Sequence, residues 1–343
     1  MSLVYKSTIR KLLFMIDPER GHDLIKKFAK FPIPNICTEN EELRLNLKGV
    51  KLRNPIGLAA GFDKNAEMIS FLSGLGFGYL VIGSVLLNEN KGNPKPRIVR
   101  YEKYLSMVNS MGLPSVGLRK FLRSLTKNKA RIPLFVSIAG NSVKEFIEIY
   151  NFLKKFVNVI EVNLSCPNTE NGRLFLEANN FQILARELEK VKSGLVFVKV
   201  SPIINKNDRD NLQEIIEISL KHKIDGITAV NALPVEEKAI SVGFGGLSGK
   251  LLFKYMLDTV SFIQENAQNK LIINACGGIF NEKDAIKAFL LGASTVQLYT
   301  SLIYEGPYVV CKIKKGIYEF IKKNNFKNIE ELIGYFTKIE AIN

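Results

Sequence analysis

A repeated alternation restricts this chain more than any other feature. Short runs of branched apolar residues lie at Ile56–Ala59, Tyr79–Gly83, Leu134–Ile138, Val159–Leu164, Leu195–Val200, Gly226–Val230, Leu271–Ala275 and Thr295–Tyr299. Runs of this length read as strands buried on both faces. Between most of them the apolar residues recur at helical spacing, as in Ser142–Phe156, Ala178–Lys192 and Asp208–His222. Strands alternating with helices predict an α/β fold with a parallel sheet. Eight such strands within about 250 residues predict a closed (β/α)8 TIM barrel. A dinucleotide-binding open sheet is disfavoured, because no GxGxxG follows a strand and Gly76–Gly78 and Gly243–Gly245 have the wrong spacing.

Residues 1–38 form a separate unit, and 39–343 carry the barrel. Leu12, Leu13 and Ile16, then Leu24, Ile25 and Phe28, recur at helical spacing on either side of Asp17 and Pro18. Asp17 suits an N-cap and Pro18 the first helical position, so two short amphipathic helices are expected. Lys6, Arg10, Lys11, Lys26, Lys27 and Lys30 flank the apolar residues. That pattern suits a membrane surface or a helix pair capping a domain. Phe31–Pro34 ends the unit as an extended linker. Leu43–Leu52 alternates around Gly49 and predicts a hairpin.

Composition narrows the chemistry. With 343 residues, 46% of them hydrophobic, the chain can bury a large core. It contains no apolar run long enough to span a bilayer, and no signal-peptide pattern is seen at its start. The four cysteines are scattered and form no CxxC, which argues against a zinc site and for a reduced, cytosolic chain. The two histidines, His22 and His222, are too few for a multi-histidine metal site, so no metal is expected. The net charge of +15 suits an acidic partner, or simply solvated lysine faces.

In such a barrel, function sits at the C-terminal ends of the strands. There the sequence places Ala60, Gly61, Asp63 and Lys64, then Ser84, Asn141, Asn163, Lys199, Asn231, Gly277, Gly278, Tyr299 and Thr300. Asn109 to Gly112 adds another amide. The stretch VNLSCPNT (Val162–Thr169) sets the thiol of Cys166 between the carboxamides of Asn163 and Asn168. Carboxamides read planar hydrogen-bonding ligands, and a thiol can move a proton or attack. The bland alternative is a buried structural cysteine. Gly277 and Gly278, ahead of a helix at Asn281, suit a phosphate. Lys199 buries a cation, and an electron-rich ring that gains charge on reduction would serve as its partner.

Together NPIGLAAGFDKNAE (Asn54–Glu67), GNPKPRIVR (Gly92–Arg100), NSMGLPS (Asn109–Ser115), VNLSCPNT, GFGGLSG (Gly243–Gly249) and GGIF…GASTVQLYTSLIYEGP (Gly277–Pro307) resemble the dihydroorotate dehydrogenase family over essentially the whole chain. The resemblance implies an FMN oxidoreductase that converts dihydroorotate to orotate in pyrimidine synthesis. It implies FMN contacts from Ala60, Gly61, Lys64, Ser84, Asn163, Lys199, Val230, Gly249, Gly277, Gly278, Tyr299 and Thr300. It implies substrate contacts from Lys64, Asn109, Met111, Gly112, Leu113, Asn163, Asn168 and Asn231, with Cys166 as general base. Glu170–Leu176 resembles a mobile lid over that base.

Two branches of the family are mixed. LLFMIDPERGH (Leu12–His22) resembles the membrane-associated, quinone-using class, in which His22, Arg100 and Tyr299 would contact quinone. That likeness implies a peripheral protein on the cytoplasmic side of a membrane. NSMGLPS, SIAGNS (Ser137–Ser142) and Cys166 instead resemble the soluble, fumarate-using class. Ser137 and Ala232 depart from residues that usually hold FMN and orotate. The competing readings are a tRNA dihydrouridine synthase and a flavin- or membrane-binding scaffold without catalysis. No separate RNA-binding domain is visible, and the small-acid site residues are present, so no nucleic-acid partner is expected. The oligomeric state is not legible.

Overall fold

The computed structural model describes residues 4–164 and 174–335. The eight expected strands are present: β1 (Ile56–Leu58), β2 (Tyr79–Val85), β3 (Leu134–Ile138), β4 (Val159–Asn163), β5 (Leu195–Val200), β6 (Gly226–Ala229), β7 (Ile272–Cys276) and β8 (Thr295–Leu298). They pair in sequence order, all parallel, and β8 returns to β1 to close a barrel. Neighbouring rows are set by register, as where Asn163 lies opposite Lys199 between β4 and β5.

The main helices are α1 (Arg10–Phe14), α2 (Pro18–Phe28), α3 (Leu118–Lys127), α4 (Val143–Leu153), α5 (Ala178–Val191), α6 (Lys206–Lys221), α7 (Phe253–Ala267), α8 (Glu282–Leu290), α9 (Thr300–Glu305) and α10 (Val309–Lys323). Their starts follow local chemistry. Asn205 and Asp208 form a reciprocal capping box on α6, whose Leu212, Ile215 and Ile216 are buried. Asp17 caps α2 as expected, its carboxylate accepting the N–H groups of Glu19 and Arg20.

Inside the barrel, aromatic rings fill one layer. Tyr79 stacks on Phe135 at 4.3 Å, and Phe135 on Phe197 at 6.0 Å. A belt of hydroxyls and amides crosses the same interior. Thr228 donates to Glu161 (2.7 Å), Asn274 to Thr228 (3.3 Å) and Thr295 to Asn274 (2.6 Å). Tyr79 shares a hydrogen bond with Thr295 at 2.7 Å. Buried polar groups are tolerated when they are partnered in this way.

The hairpin expected at 43–52 forms from Leu45–Leu47 and Val50–Leu52. A second sheet was not expected. Ile98–Tyr101, Ser106–Asn109, Leu233–Glu236 and Phe244–Gly249 pair antiparallel beside the barrel mouth. Its strands come from two distant loop excursions, so no local pattern announces it.

The N-terminal unit docks through charge and cation–π contact. Glu19 pairs with Arg97 through two bonds of 3.0 and 2.8 Å. Arg100 donates to the carbonyls of Leu13, Phe14 and Ile16 and lies over the Phe14 ring at 4.4 Å. Met15 (81% exposed) and Phe28 (72%) point away from the barrel, with Leu12 and Phe31 also exposed.

One expectation is corrected. Cys37 and Cys311 form a disulfide across 274 residues of sequence, so the chain is not wholly reduced. Packing of the linker against α10 brings them together, which spacing alone could not show. Of the described cysteines, Cys276 is the free one.

Gly57 generates a direct prediction. A Cβ there would meet the Tyr79 ring at 2.2 Å. Gly57→Ala must displace the ring and break its bond to Thr295, so we expect a loss of about 1–3 kcal/mol or more in urea unfolding. An unchanged midpoint would mean that the ring is not locked.

Candidate active site

At the barrel mouth, four polar side chains from separate elements form a continuous row. The hydroxyls of Ser137 and Ser84 lie 2.9 Å apart. Asn163 donates to Ser84 at 3.3 Å, and Asn231 donates to Asn163 at 3.2 Å. Ser137 and Ser84 are the penultimate residues of β3 and β2, Asn163 ends β4 and Asn231 follows β6, which is why residues far apart in sequence meet. Ser137, singled out as a departure from the family pattern, is part of this row.

Lys199 is buried beside the row, its Nζ 3.7 Å from the Cys276 sulfur. Burial works against its charge, but the Cys276 sulfur and the Glu161 carboxylate outweigh that and hold Lys199 above the ordinary lysine value. Val230 is buried next to it, and its N–H donates to the Cys276 carbonyl at 2.8 Å.

The loop after β1 carries Ala60, Gly61 and Lys64. Asp63 fixes it. Its buried carboxylate accepts the N–H groups of Glu67 (2.9 Å) and Met68 (2.8 Å), and its carbonyl accepts Gly83 N–H. Asp63 therefore shapes the loop rather than facing a ligand. Lys64 donates to the Gly61 carbonyl at 2.7 Å. Burial, then the nearby Arg97 charge, lowers the Lys64 ammonium to about 8, with Glu19 opposing and Lys26 adding to the effect.

From this loop a row of rings runs to the N-terminal unit. His22 meets Phe62 edge-on at 5.3 Å, and Phe62 meets Tyr299 edge-on at 5.5 Å. The Tyr299 hydroxyl donates to Gly61 at 3.3 Å, and burial pushes its phenol up to about 12. Burial, with Lys64 and Lys26 nearby, lowers His22 to about 4, so its imidazole is neutral. Phe62 was not singled out from sequence. Arg100, by contrast, is engaged by the backbone carbonyls at the end of α1.

The connection after β2 holds Asn109, Met111, Gly112 and Leu113. Asn109 donates to the Gly246 carbonyl at 3.4 Å. Asn90, which sequence reasoning missed, donates to the carbonyls of both Gly112 (2.9 Å) and Leu113 (3.0 Å). Asn93 is hydrogen-bonded to Ser110 and, through its N–H, to the Met111 carbonyl. The run of asparagines from 88 to 93 was the available signal.

At the far edge Thr300 donates to the Ser248 hydroxyl at 3.2 Å, beside Gly249. Ser248 was also missed. Gly278 has φ +71°, and a Cβ on it would meet the Phe253 backbone at 2.7 Å, so only glycine fits. Asn281 and Asp284 cap the start of α8 with their own side chains, accepting the N–H groups of Asp284 and Phe280. One donor of that helix start, the Asp284 N–H, is thus already engaged, and Gly277 and Gly278 precede the helix rather than open it. Cys166 and Asn168 lie outside the described residues, as does most of Glu170–Leu176. Phe175, at its end, is buried against Phe146.

A family model described as dihydroorotate dehydrogenase matches residues 42–321. A protein of Christiangramia forsetii named dihydroorotate dehydrogenase (quinone) is 33% identical, covering 92% of this chain and 99% of its own length. A Buchnera aphidicola protein of the same name is 31% identical, over 90% of this chain and 98% of its own. A crystal structure of DHODH from Eimeria tenella, in complex with ferulenol, superposes with a TM-score of 0.85 at 29% identity, covering 93% of this chain and 95% of that one. The barrel, the row of hydroxyls and carboxamides at its mouth and these likenesses agree, and the chain belongs to the dihydroorotate dehydrogenase family.

Proposed function

We propose that the chain oxidises (S)-dihydroorotate to orotate in pyrimidine synthesis, with FMN as cofactor and a quinone as electron acceptor. The observation that carries this reading is the convergence of Lys64, Asn163, Asn231 and Lys199 at one mouth, joined to the N-terminal unit by His22, Phe62 and Tyr299.

The residues present fit an FMN. Gly278, Gly249, Thr300 and Ser248 suit its phosphate, since hydroxyls and a glycine cradle accept a compact anion. Lys199 offers a buried cation at the opposite side of the mouth, with Ser84, Ala60, Gly61, Gly277, Val230 and Tyr299 around it. When bound, the flavin supplies the hydride acceptor. The protein supplies orientation and the base. Asn163, Asn231, Asn109 and Asn168 match the ureide edge of the substrate, and Lys64 with the backbone of Met111–Leu113 suits its carboxylate. Cys166, three residues beyond Asn163, takes the C5 proton as the C6 hydride leaves.

The quinone acceptor follows the names of the relatives and the row of rings to residues 1–38. The exposed Leu12, Met15, Phe28 and Phe31, flanked by lysines, support attachment of that unit to the cytoplasmic face of a membrane. Among the described residues no helix is long and apolar enough to cross a bilayer. His22, Arg100 and Tyr299 remain the proposed quinone contacts, with Arg100 acting mainly by fixing α1. Fumarate is the second reading, favoured by NSMGLPS, SIAGNS and above all the thiol of Cys166.

Two outcomes test the site. Anaerobic dihydroorotate should bleach the flavin, and Cys166→Ser should move the pH profile of that step upward, because an alcohol loses its proton far less readily than a thiol of pKa about 8.5. A profile that stays in place contradicts the base. Second, Lys64 is protonated below about pH 8 and neutral above it. An anion needs the ammonium, so orotate affinity should fall up to about tenfold per pH unit above that value. Lys64→Gln should bind weakly and without this slope in an orotate titration.

A further inference from the structure

The barrel interior holds a carboxylate that the proposed reaction does not use. Glu161 on β4 is 1% exposed. Its Oε2 accepts from Thr228, and its Oε1 has no hydrogen-bond partner. A buried carboxylate with one oxygen unsatisfied is costly unless opposite charge faces it. Two residues further along the same strand, Asn163 stands in register with Lys199. Alternate residues of a strand share a face, so Glu161 lies one layer beneath the Lys199 level, inside the barrel.

The groups around Lys199 can be sorted by charge. Cys276 from β7, its neighbour at 3.7 Å, favours the cation only as a thiolate, and burial pushes that thiol up, which leaves the carboxylate as the charge present near neutral pH. Tyr79 from β2 also feels Glu161 and Cys276, and burial raises its phenol too. Thr228 from β6 and Asn163 from β4 are neutral. Among the described residues, Glu161 is the carboxylate that acts on Lys199.

We propose that Glu161 is the counter-charge that keeps Lys199 protonated, a positioning residue that sets the charge at the flavin side of the mouth from beneath. This rests on the reading that a flavin occupies the mouth. The oxidised protein then holds a balanced pair. On reduction, the cation has a second negative partner and needs no proton from solvent.

Glu161→Gln keeps an oxygen for Thr228 and removes only the charge. The test is sulfite affinity of the FMN-loaded protein, since a sulfite adduct places negative charge on the flavin and senses Lys199. The readout is the ratio of variant to wild-type dissociation constants between roughly pH 6 and pH 10, which cancels the ionisation of sulfite itself. We expect the ratio to rise by about tenfold or more across this range, as Lys199 loses its proton in the variant alone. It should be flat when Lys199→Met is added to both proteins. A ratio that does not change with pH overturns the proposal and leaves Glu161 a purely structural member of the belt.

A second measurement needs no flavin. In apoprotein, the infrared carboxylate stretching band assigned to Glu161 by its loss in Glu161→Gln should shift when Lys199→Met removes the cation that faces it. A band that stays in place contradicts the pairing. A protein that never takes up flavin fails the functional reading, while the infrared result still decides the pair.

Discussion

Closure of the parallel ladder is the constraint from which the rest follows. Once β8 pairs with β1, all eight strands end at one mouth, and the inward-facing side chains near those ends meet a common space. Ser137, Ser84, Asn163 and Asn231 then form a hydrogen-bonded row without any one loop having to carry it. The same closure creates an interior too dry for an unpaired charge. Lys199 can be buried there because the Cys276 sulfur and the Glu161 carboxylate favour its charge, and the hydroxyl and amide belt partners one oxygen of that carboxylate.

Charge also governs how the N-terminal unit meets the barrel. Glu19 and Arg97 pair through two short bonds, and Arg97 donates in turn to the carbonyl of Asn93, which holds Met111. The helical unit and the proposed substrate loop are therefore physically continuous. Arg97 also helps depress Lys64. Burial, and then Arg97, keep Lys64 low, so an anion bound beside it would favour the charged ammonium.

Much of this was legible in the sequence. All eight barrel strands were predicted to within two residues at their ends, because strands buried on both faces are unbroken apolar runs. Asp17 and Pro18 announced α2, since capping is local chemistry. The antiparallel sheet at the mouth was not legible, as its strands are joined by pairing across more than a hundred residues. Nor was the bond between Cys37 and Cys311, which tertiary packing alone brings together. In the site, the residues with unusual chemistry stood out, among them Lys64, Asn163 and Lys199. Among the residues that hold them, Asn90 and Ser248 did not, because they act on backbone groups or on another side chain and nothing in their type distinguishes that from a surface role. Asp63 was placed at the rim, but its work of fixing the loop backbone was not legible. Cys166 and Asn168 lie outside the described residues, so their roles rest on family likeness and on their distance along the chain from Asn163.

The measurement that tests the account most directly is reoxidation of the dihydroorotate-reduced protein by a soluble quinone analogue and by fumarate, side by side. The account predicts that quinone is the faster acceptor and that Phe62→Ala, which breaks the row between His22 and Tyr299, slows quinone reoxidation while leaving reduction by dihydroorotate in place. Faster reoxidation by fumarate, indifferent to Phe62, would contradict it and make the N-terminal unit a structural cap.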